Sequence, residues 1–278
     1  MSLMLRLLIA TLLLGSSVFA GSDEVKVEKF LKKSFHGNRN IVSLKISVDS
    51  KAEIKQLKGW YAYIVDIDAL VKSRPKNRKV KQKSIWFSNG DLITQDLVDI
   101  NTGESLQNKV KPTISPEQYK KENLIYGNAD AKHKVVIFSD PLCPFCKRFA
   151  PGAIEYLKAR PKEFALYYIH TPLERLHPAS VALVKAAVAA ELKGYEDVIP
   201  KLYNVKLNPR ETNINKILKA FNKALNSDIK PADLKSKAVL DRFNNDKKMA
   251  YDLMVSGTPT VFFDGQVDKS RSKFKRVK

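Results

Sequence analysis

The stretch KVVIFSDPLCPFCKRFAPGAIEYLKAR, residues 134–160, decides the fold of this chain. It opens with KVVIFS, a mainly apolar and β-branched run that predicts a buried strand. A short turn, DPL, follows at residues 140–142. A helix is predicted from Cys143 onward, because Pro144 stands where the first helical position would be. Cys143 and Cys146 are the only two cysteines of the sequence. Both lie where the predicted strand passes into the predicted helix.

This position of the two cysteines predicts redox chemistry. The free N–H groups and the dipole at a helix N-terminus favour an anion, so we expect Cys143 to ionise more readily than an ordinary thiol. The neighbouring cations Lys147 and Arg148 act in the same direction. Cys146, three residues later on the inward side of the helix, is placed to attack a mixed disulfide formed at Cys143. We therefore predict that Cys143 is the nucleophile and Cys146 the resolving cysteine.

Two bland interpretations compete with this one. A passive disulfide between the cysteines would close a loop too short to stabilise the fold much. A zinc site would need two further ligands, and His133, His170 and His177 show no paired spacing. We predict neither a metal nor a cofactor.

The rest of the second half predicts an α/β domain with a helical insertion. A second strand is predicted at residues 164–170 and a last clear strand at 260–263, directly after Gly257-Thr258-Pro259. The helical patterns between these strands lie at residues 179–193, 214–225 and 231–255.

The first half predicts a smaller α+β unit with an antiparallel sheet. A short amphipathic helix is predicted at residues 22–35, and an Asn-Gly step at residues 89–90 predicts a hairpin. The strands are predicted at residues 41–48, 60–67, 84–87 and 92–100. We interpret the basic stretch between Val71 and Lys83 as a solvated loop. The predicted division is an N-terminal domain at 21–110, a linker helix at 111–125 and a catalytic domain at 126–278.

Length, composition and charge indicate the class of protein. The chain has 278 residues, 44% of them hydrophobic, and a formal net charge of +20. This composition is that of a folded globular protein, and two cysteines exclude a disulfide-dense scaffold. Residues 1–20 combine Arg6, an apolar run and small residues before Ala20, so we predict a cleaved export signal and an oxidising compartment.

The order strand, CPFC, helix, helical insertion and Gly-Thr-Pro-Thr before a strand resembles the thioredoxin superfamily. The run IFSDPLCPFC, together with the α+β leader and the linker, resembles the periplasmic thiol-disulfide oxidoreductases of the DsbC and DsbG type. That resemblance implies a homodimer formed through a cystatin-like N-terminal dimerisation domain. It also implies a location in the periplasm, misfolded or cysteine-containing exported proteins as partners, and a membrane redox partner.

Carried over by residue, the resemblance implies that Cys143 attacks, Cys146 resolves and Pro259 is a cis-proline beside the pair, with Thr258 before it. Thr171-Pro172 is the rival position for the cis bond. Ile137 stands where thioredoxin carries a buried acid, which favours the isomerase branch. The closing helix of a thioredoxin fold is expected to be short or absent after residues 264–265.

The leading hypothesis is isomerisation and reduction of disulfides in exported proteins. Net oxidation is the alternative, because one fold supports both reactions. A third hypothesis, of a different class, is a basic anion- or nucleic-acid-binding protein with a structural disulfide. We predict no nucleic-acid partner, because the chain has no aromatic-basic binding motif.

Overall fold

The computed structural model describes residues 21–277, and the predicted export signal at residues 1–20 lies outside them. The chain divides into two compact units, one ending at Val110 and the other beginning at Lys111.

The first unit is a helix on a four-stranded antiparallel sheet. Helix α1 spans Gly21–Phe35 and helix α2 spans Gln107–Val110. The strands pair in sequence order and are β1 (Ile41–Glu53), β2 (Tyr61–Val71), β3 (Arg78–Ser88) and β4 (Ile93–Thr94). The α+β class predicted for this half is the one observed.

Its core forms because α1 turns one face toward the sheet. Val27 and Leu31 stand four residues apart, hence on the same side of the helix, and both are buried. They share one apolar cluster with four buried sheet residues, Ile46, Tyr63, Val65 and Ile67. The three cluster residues from β2 are two positions apart, as the two-residue period of a strand requires for side chains on one face.

The basic stretch before Lys83 is only partly a loop, which corrects the sequence prediction. Strand β3 already begins at Arg78. Two of its cations are tolerated in the sheet because acidic residues of β2 lie opposite them, Asp66 opposite Lys83 and Asp68 opposite Lys81. The solvated-loop interpretation therefore holds for residues 72–77 alone.

The hairpin predicted at the Asn-Gly step is present, but its second strand is shorter than expected. Ser88 pairs with Ile93, and Gly90 takes a φ of +94° that favours glycine. The predicted strand at residues 92–100 reduces to β4, because only a single bridge between Val98 and Ser105 continues the pairing.

The second unit contains a five-stranded mixed sheet. Its strands are β5 (Leu124–Tyr126), β6 (His133–Ser139), β7 (Phe164–His170), β8 (Thr260–Phe263) and β9 (Gln266–Val267). They are arranged in the order β5-β7-β6-β8-β9. Only β6 and β7 are parallel, and β6 occupies the centre of the sheet.

The predicted helical insertion lies between β7 and β8. Helix α3 (Pro144–Lys158) joins the parallel strands, and the insertion contains α4 (Ala179–Leu192), α5 (Val198–Leu202), α6 (Ile214–Leu225) and α7 (Lys237–Asp252). Nine of the fourteen residues of α4 are buried, because the other helices of the insertion pack around it. A helix that is apolar on most sides is stable only in such a buried position.

The predicted linker helix and the predicted start of the second domain need correction. Residues 111–125 contain two short 3-10 turns, Pro116–Gln118 and Lys121–Asn123, and belong to the second unit. The N–H of Ile114 donates to the carbonyl of Gly265 at 2.9 Å, which fixes this segment on the sheet. A domain start at residue 126 would cut through β5.

After β9, the described chain forms a single 3-10 turn, Lys273–Arg276. Phe274 is fully buried in it and packs in the same cluster as the two cysteines. This turn therefore contributes an aromatic side chain to the core.

Candidate active site

The two cysteines lie at the start of α3, directly after the central strand. Cys143 is the N-cap residue, with extended backbone angles of φ −66° and ψ 124°, and Pro144 opens the helix. Both thiols are free and buried, with Cys143 4% and Cys146 0% exposed. The helix presents Cys143 at its tip, and Cys146 lies one turn further inside.

The segment before β8 completes the site. The Thr258–Pro259 peptide bond is cis, whereas Thr171-Pro172 is not among the cis bonds of the described residues. The Cys143 Sγ lies 3.6 Å from the carbonyl oxygen of Thr258. The structure thus brings the four residues singled out in the sequence, Cys143, Cys146, Thr258 and Pro259, into one place.

Cys146 is held in its protonated form by its surroundings. Burial, the largest effect, raises the pKa of its thiol to about 11, and the nearby hydroxyl groups of Ser139 and Thr258 partly offset this rise. A buried thiolate has no water to stabilise it, so neighbouring donors are its main source of stabilisation. Any reaction that needs the Cys146 thiolate therefore depends on the groups around this sulfur.

A chain of hydroxyl groups leads away from Cys146 into the core. Ser139 Oγ lies 2.6 Å from Tyr203 Oη, which lies 2.7 Å from Tyr168 Oη. Burial raises the pKa of both tyrosines, so the phenols stay protonated and each can donate or accept a hydrogen bond in this chain. Ile137 is fully buried in the same apolar cluster as the two cysteines.

A buried carboxylate fixes the turn between β6 and α3. Asp140 is 0% exposed and accepts hydrogen bonds from the Leu142 N–H at 2.7 Å and the Ser180 hydroxyl at 2.6 Å. It also accepts from the Leu173 N–H at 2.7 Å and lies 3.0 Å from His177 Nδ1. One side chain therefore ties the cysteine turn to the loop that leads into the helical insertion.

The cations beside the pair differ in their environment. Lys147 Nζ donates to the carbonyl of Val205 at 3.3 Å, and burial lowers the pKa of this amine. Arg148 is exposed, with its guanidinium carbon 4.9 Å from the centre of the Phe145 ring. The sequence analysis predicted the same effect for both cations. In the structure, Lys147 is partly buried and Arg148 is exposed.

Sequence reasoning missed the supporting residues Ser139, Asp140, Tyr168, His177 and Tyr203. The polar pair Ser139-Asp140 at the end of an otherwise apolar strand was a usable signal, because buried polar side chains need partners. No comparable signal marks Tyr203. Within residues 21–277, no three His, Cys, Asp or Glu side chains are grouped as a metal site would require.

Comparison with known proteins gives a family match and several partial relatives. The family model described as Thioredoxin matches residues 119–278. The Na(+)/H(+) antiporter NhaA 1 of Mycolicibacterium vanbaalenii is 29% identical over 143 residues, which cover 51% of this chain and 23% of the antiporter. The corresponding antiporter of Mycolicibacterium gilvum is 28% identical over 160 residues, covering 57% and 25%. The chain thus spans about a quarter of the length of these curated relatives.

Two solved structures are similar to part of the chain. One is a thioredoxin-like oxidoreductase from Silicibacter pomeroyi, with 21% identity, coverage of 59% of this chain and 98% of that chain, and a TM-score of 0.44. The other is the thiol-disulfide exchange protein alpha-DsbA2 from Wolbachia pipientis, with 22% identity, coverage of 58% and 90%, and a TM-score of 0.45. No helix within residues 21–277 is both long and apolar enough to span a membrane.

Proposed function

The chain belongs to the thioredoxin family, and on that premise we propose that it is a thiol-disulfide oxidoreductase acting through Cys143 and Cys146. The observation that carries the proposal is the position of Cys143 at the tip of α3, with its sulfur 3.6 Å from the Thr258 carbonyl and a second thiol buried behind it.

The first step is attack by the Cys143 thiolate on one sulfur of a client disulfide. A Cys143–client disulfide forms, the client's own disulfide breaks, and its second sulfur leaves as a thiolate. The backbone of Thr258 is well placed to hold the client, because an extended segment can pair with an exposed backbone edge.

The second step distinguishes reduction from isomerisation. In reduction, Cys146 loses its proton and attacks the Cys143 sulfur, which forms the Cys143–Cys146 disulfide and releases the client thiolate to take up a proton. In isomerisation, another client thiolate attacks the mixed disulfide, so the client keeps its electrons and Cys143 is regenerated. A high pKa for Cys146 slows the first route and leaves more time for the second.

We propose isomerisation and reduction of disulfides in exported proteins as the biological role. The apolar Ile137 supports this assignment, and the first unit, an α+β domain separate from the catalytic one, is compatible with a cystatin-like dimerisation domain. The homodimer, the periplasmic location and a membrane redox partner remain parts of the proposal. Net oxidation of clients is the alternative, and the redox state of the pair in the cell, determined by thiol trapping, decides between them: mainly reduced for the isomerase, mainly oxidised for the oxidase.

Cysteine variants test the proposal in vitro. Insulin reduction and refolding of scrambled ribonuclease should disappear in Cys143→Ser. Cys146→Ser should accumulate mixed disulfides with clients, visible on non-reducing gels. Activity that persists undiminished in the double Cys143→Ser, Cys146→Ser variant would overturn the proposal. A Cys146→Ser protein that traps no client would show that the assignment of roles to the two cysteines is wrong.

A further inference from the structure

A groove runs along the exposed side of α3, away from the cysteine pair. One wall is the stripe Phe145, Arg148, Phe149 and Gly152, whose spacing of three and four residues places them on one helix face. The segment 270–275 forms the other wall, and the enclosed volume is about 550 Å³. Because Phe145 lies between the two cysteines in the chain, the groove begins at the redox pair.

The charge of this groove is one-sided. Arg148, Arg271 and Lys275 line it, all three are exposed, and the lining contains no acidic residue. These three cations form no ion pair within residues 21–277, in contrast to the paired lysines elsewhere in the unit. Charges that are unpaired in the free protein can be neutralised by a partner.

Asp268, which lies beside the groove, holds the segment 270–275 in place by hydrogen bonds. Asp268 is 2% exposed and its carboxylate accepts from the N–H and hydroxyl of Ser270 and from the N–H of Lys273. Its backbone carbonyl also accepts from the N–H of Arg271 at 3.1 Å. The segment that presents the cations is therefore held in place and does not have to be ordered by a partner.

The groove also offers an apolar contact next to the reactive sulfur. The Phe145 side chain is 61% exposed, one of the largest apolar exposures in the second unit. The Arg148 guanidinium lies over its ring. Aromatic and arginine side chains are enriched in protein-protein interfaces and among the residues that contribute most of the binding energy.

We infer that this basic groove binds an acidic, extended segment of the client polypeptide that adjoins the client's reactive cysteine. The inference rests on the proposed function and names its preferred substrate class. Cations near the reactive sulfur concentrate acidic clients at the site and speed their encounter with Cys143, an effect that salt weakens. The client's cysteine occupies the Cys143 end, and its flanking acids follow α3 toward Lys275.

Three peptides with one mixed disulfide each test the inference. They differ only in the residues beside the cysteine, which are glutamate, glutamine or lysine. The rate constant for exchange with the reduced protein is measured at about 20 mM and about 300 mM salt. At low salt, we expect the glutamate peptide to react roughly tenfold faster than the glutamine peptide, the lower end of the range for charge focusing, and the lysine peptide to react more slowly.

Two triple variants locate the effect. Arg148→Gln, Arg271→Gln, Lys275→Gln removes the groove cations. Its control, Lys162→Gln, Lys219→Gln, Lys223→Gln, removes three exposed lysines outside the groove and changes the net charge equally. The readout is the ratio of the rate constants for the glutamate and glutamine peptides, in which any change in the reactivity of Cys143 itself cancels. This ratio should fall to about one in the groove variant and stay at its parent value in the control.

The outcomes separate this inference from the proposed function. Equal rates for the glutamate and glutamine peptides, or an equal loss of preference in both triple variants, would overturn the groove assignment and leave the redox function intact. A lack of exchange with every peptide would overturn the function itself. Tight binding of a DNA duplex that only the groove variant loses would assign the groove to nucleic acid instead of a client peptide.

Discussion

The hydroxyl groups of Ser139 and Tyr203 lie 2.6 Å apart in the core beside Cys146. Ser139 ends the central strand, and Tyr203 comes from the helical insertion. The pair therefore connects the surroundings of Cys146 to the helical insertion, which contains neither cysteine.

Removing the Tyr203 hydroxyl should slow the resolving step. Tyr203→Phe deprives Ser139 of the partner that orients its hydroxyl toward the sulfur, so the Cys146 thiolate loses stabilisation. We expect the pKa of Cys146 to rise above about 11 by a further unit or so, which lowers the thiolate fraction, and hence the rate of client release, roughly tenfold at neutral pH. The release rate from a preformed mixed disulfide, followed as a function of pH, measures this.

Tyr156→Phe is the matched control, since its ring packs on Phe274 in the same unit and its hydroxyl has no part in the chain to Cys146. Ser139→Ala should reproduce the effect of Tyr203→Phe. Unchanged release rates and pH profiles in both variants would show that the hydroxyl chain has no influence on Cys146.

The Asp140 carboxylate should be essential for the fold of the active-site turn. Asp140→Ala leaves the buried Leu142 N–H, the partly buried Leu173 N–H and the buried Ser180 hydroxyl without this acceptor, and the loss of an acceptor is costly in a buried site. We expect the free energy of unfolding to fall by about 3 kcal/mol, measured by denaturant titration with far-UV circular dichroism. Asp241→Ala, which removes an exposed ion pair with Lys237, should cost less than about 1 kcal/mol. A cost for Asp140→Ala as small as that of this control would contradict the prediction.

The contrast between the cysteine turn and Tyr203 explains how much the sequence could predict. The strand, turn and helix around Cys143 are encoded within one short stretch, and Pro144 fixes the helix start locally. Tyr203 lies 64 residues from Ser139, in an insertion with other apolar and aromatic residues that carry the same pattern. Only the tertiary fold brings the two hydroxyls together.

The basic stretch at residues 71–83 was wrongly predicted to be entirely a loop for a similar reason. Cations on a strand look like a loop until the acids opposite them are known, and Asp66 and Asp68 belong to a different strand from Lys81 and Lys83. Basic groove residues from α3 and from the last described turn are likewise far apart in the chain. Local patterns predicted the elements, whereas contacts between elements had to be observed.

Lys83 should stabilise the first unit more than its neighbour on the same face of β3. Its side chain is 6% exposed and its ammonium lies 2.7 Å from Asp49 and 3.2 Å from Asp66. Lys83→Met leaves the two carboxylates without their shared cation, and we expect a loss of about 1–2 kcal/mol. Lys81→Met is the control, because Lys81 is 63% exposed and should cost under about 1 kcal/mol.

Tryptophan fluorescence measures this unit alone, because both tryptophans of the chain, Trp60 and Trp86, lie in it. Denaturant titrations of the two variants should therefore give different midpoints. Equal midpoints would mean that the ion pairs of Lys83 contribute no more than a surface contact.

His170 should make the second unit sensitive to acid. It is 1% exposed, neither of its ring nitrogens has a hydrogen-bond partner, and its ring meets Tyr168 edge-on at 5.1 Å. Burial, with a smaller contribution from the Arg242 charge, lowers the pKa of His170 to about 3. The folded protein thus binds this proton less tightly than the unfolded chain does.

The sign of the effect follows from that difference. The stability that neutral His170 contributes is complete above pH 6.5, its ordinary pKa, and is lost as the pH falls toward 3, by up to about 1.4 kcal/mol per pH unit. Glu191 and Asp246, which share Arg242 nearby, act in the opposite direction. Burial raises their pKa values to about 7 and about 6, so their contribution grows as the pH falls.

The comparison of His170→Phe with the parent protein isolates the histidine from these acids. Phenylalanine keeps the buried ring and loses no hydrogen bond, so the variant should retain its stability near pH 7.5 and lose less of it at pH values of about 4.5. Denaturant unfolding followed by far-UV circular dichroism at both pH values measures the difference. His36→Phe, at an exposed position of the first unit, should leave the acid dependence unchanged. If His170→Phe and the parent protein lost equal stability between the two pH values, protonation of His170 would not destabilise the folded state.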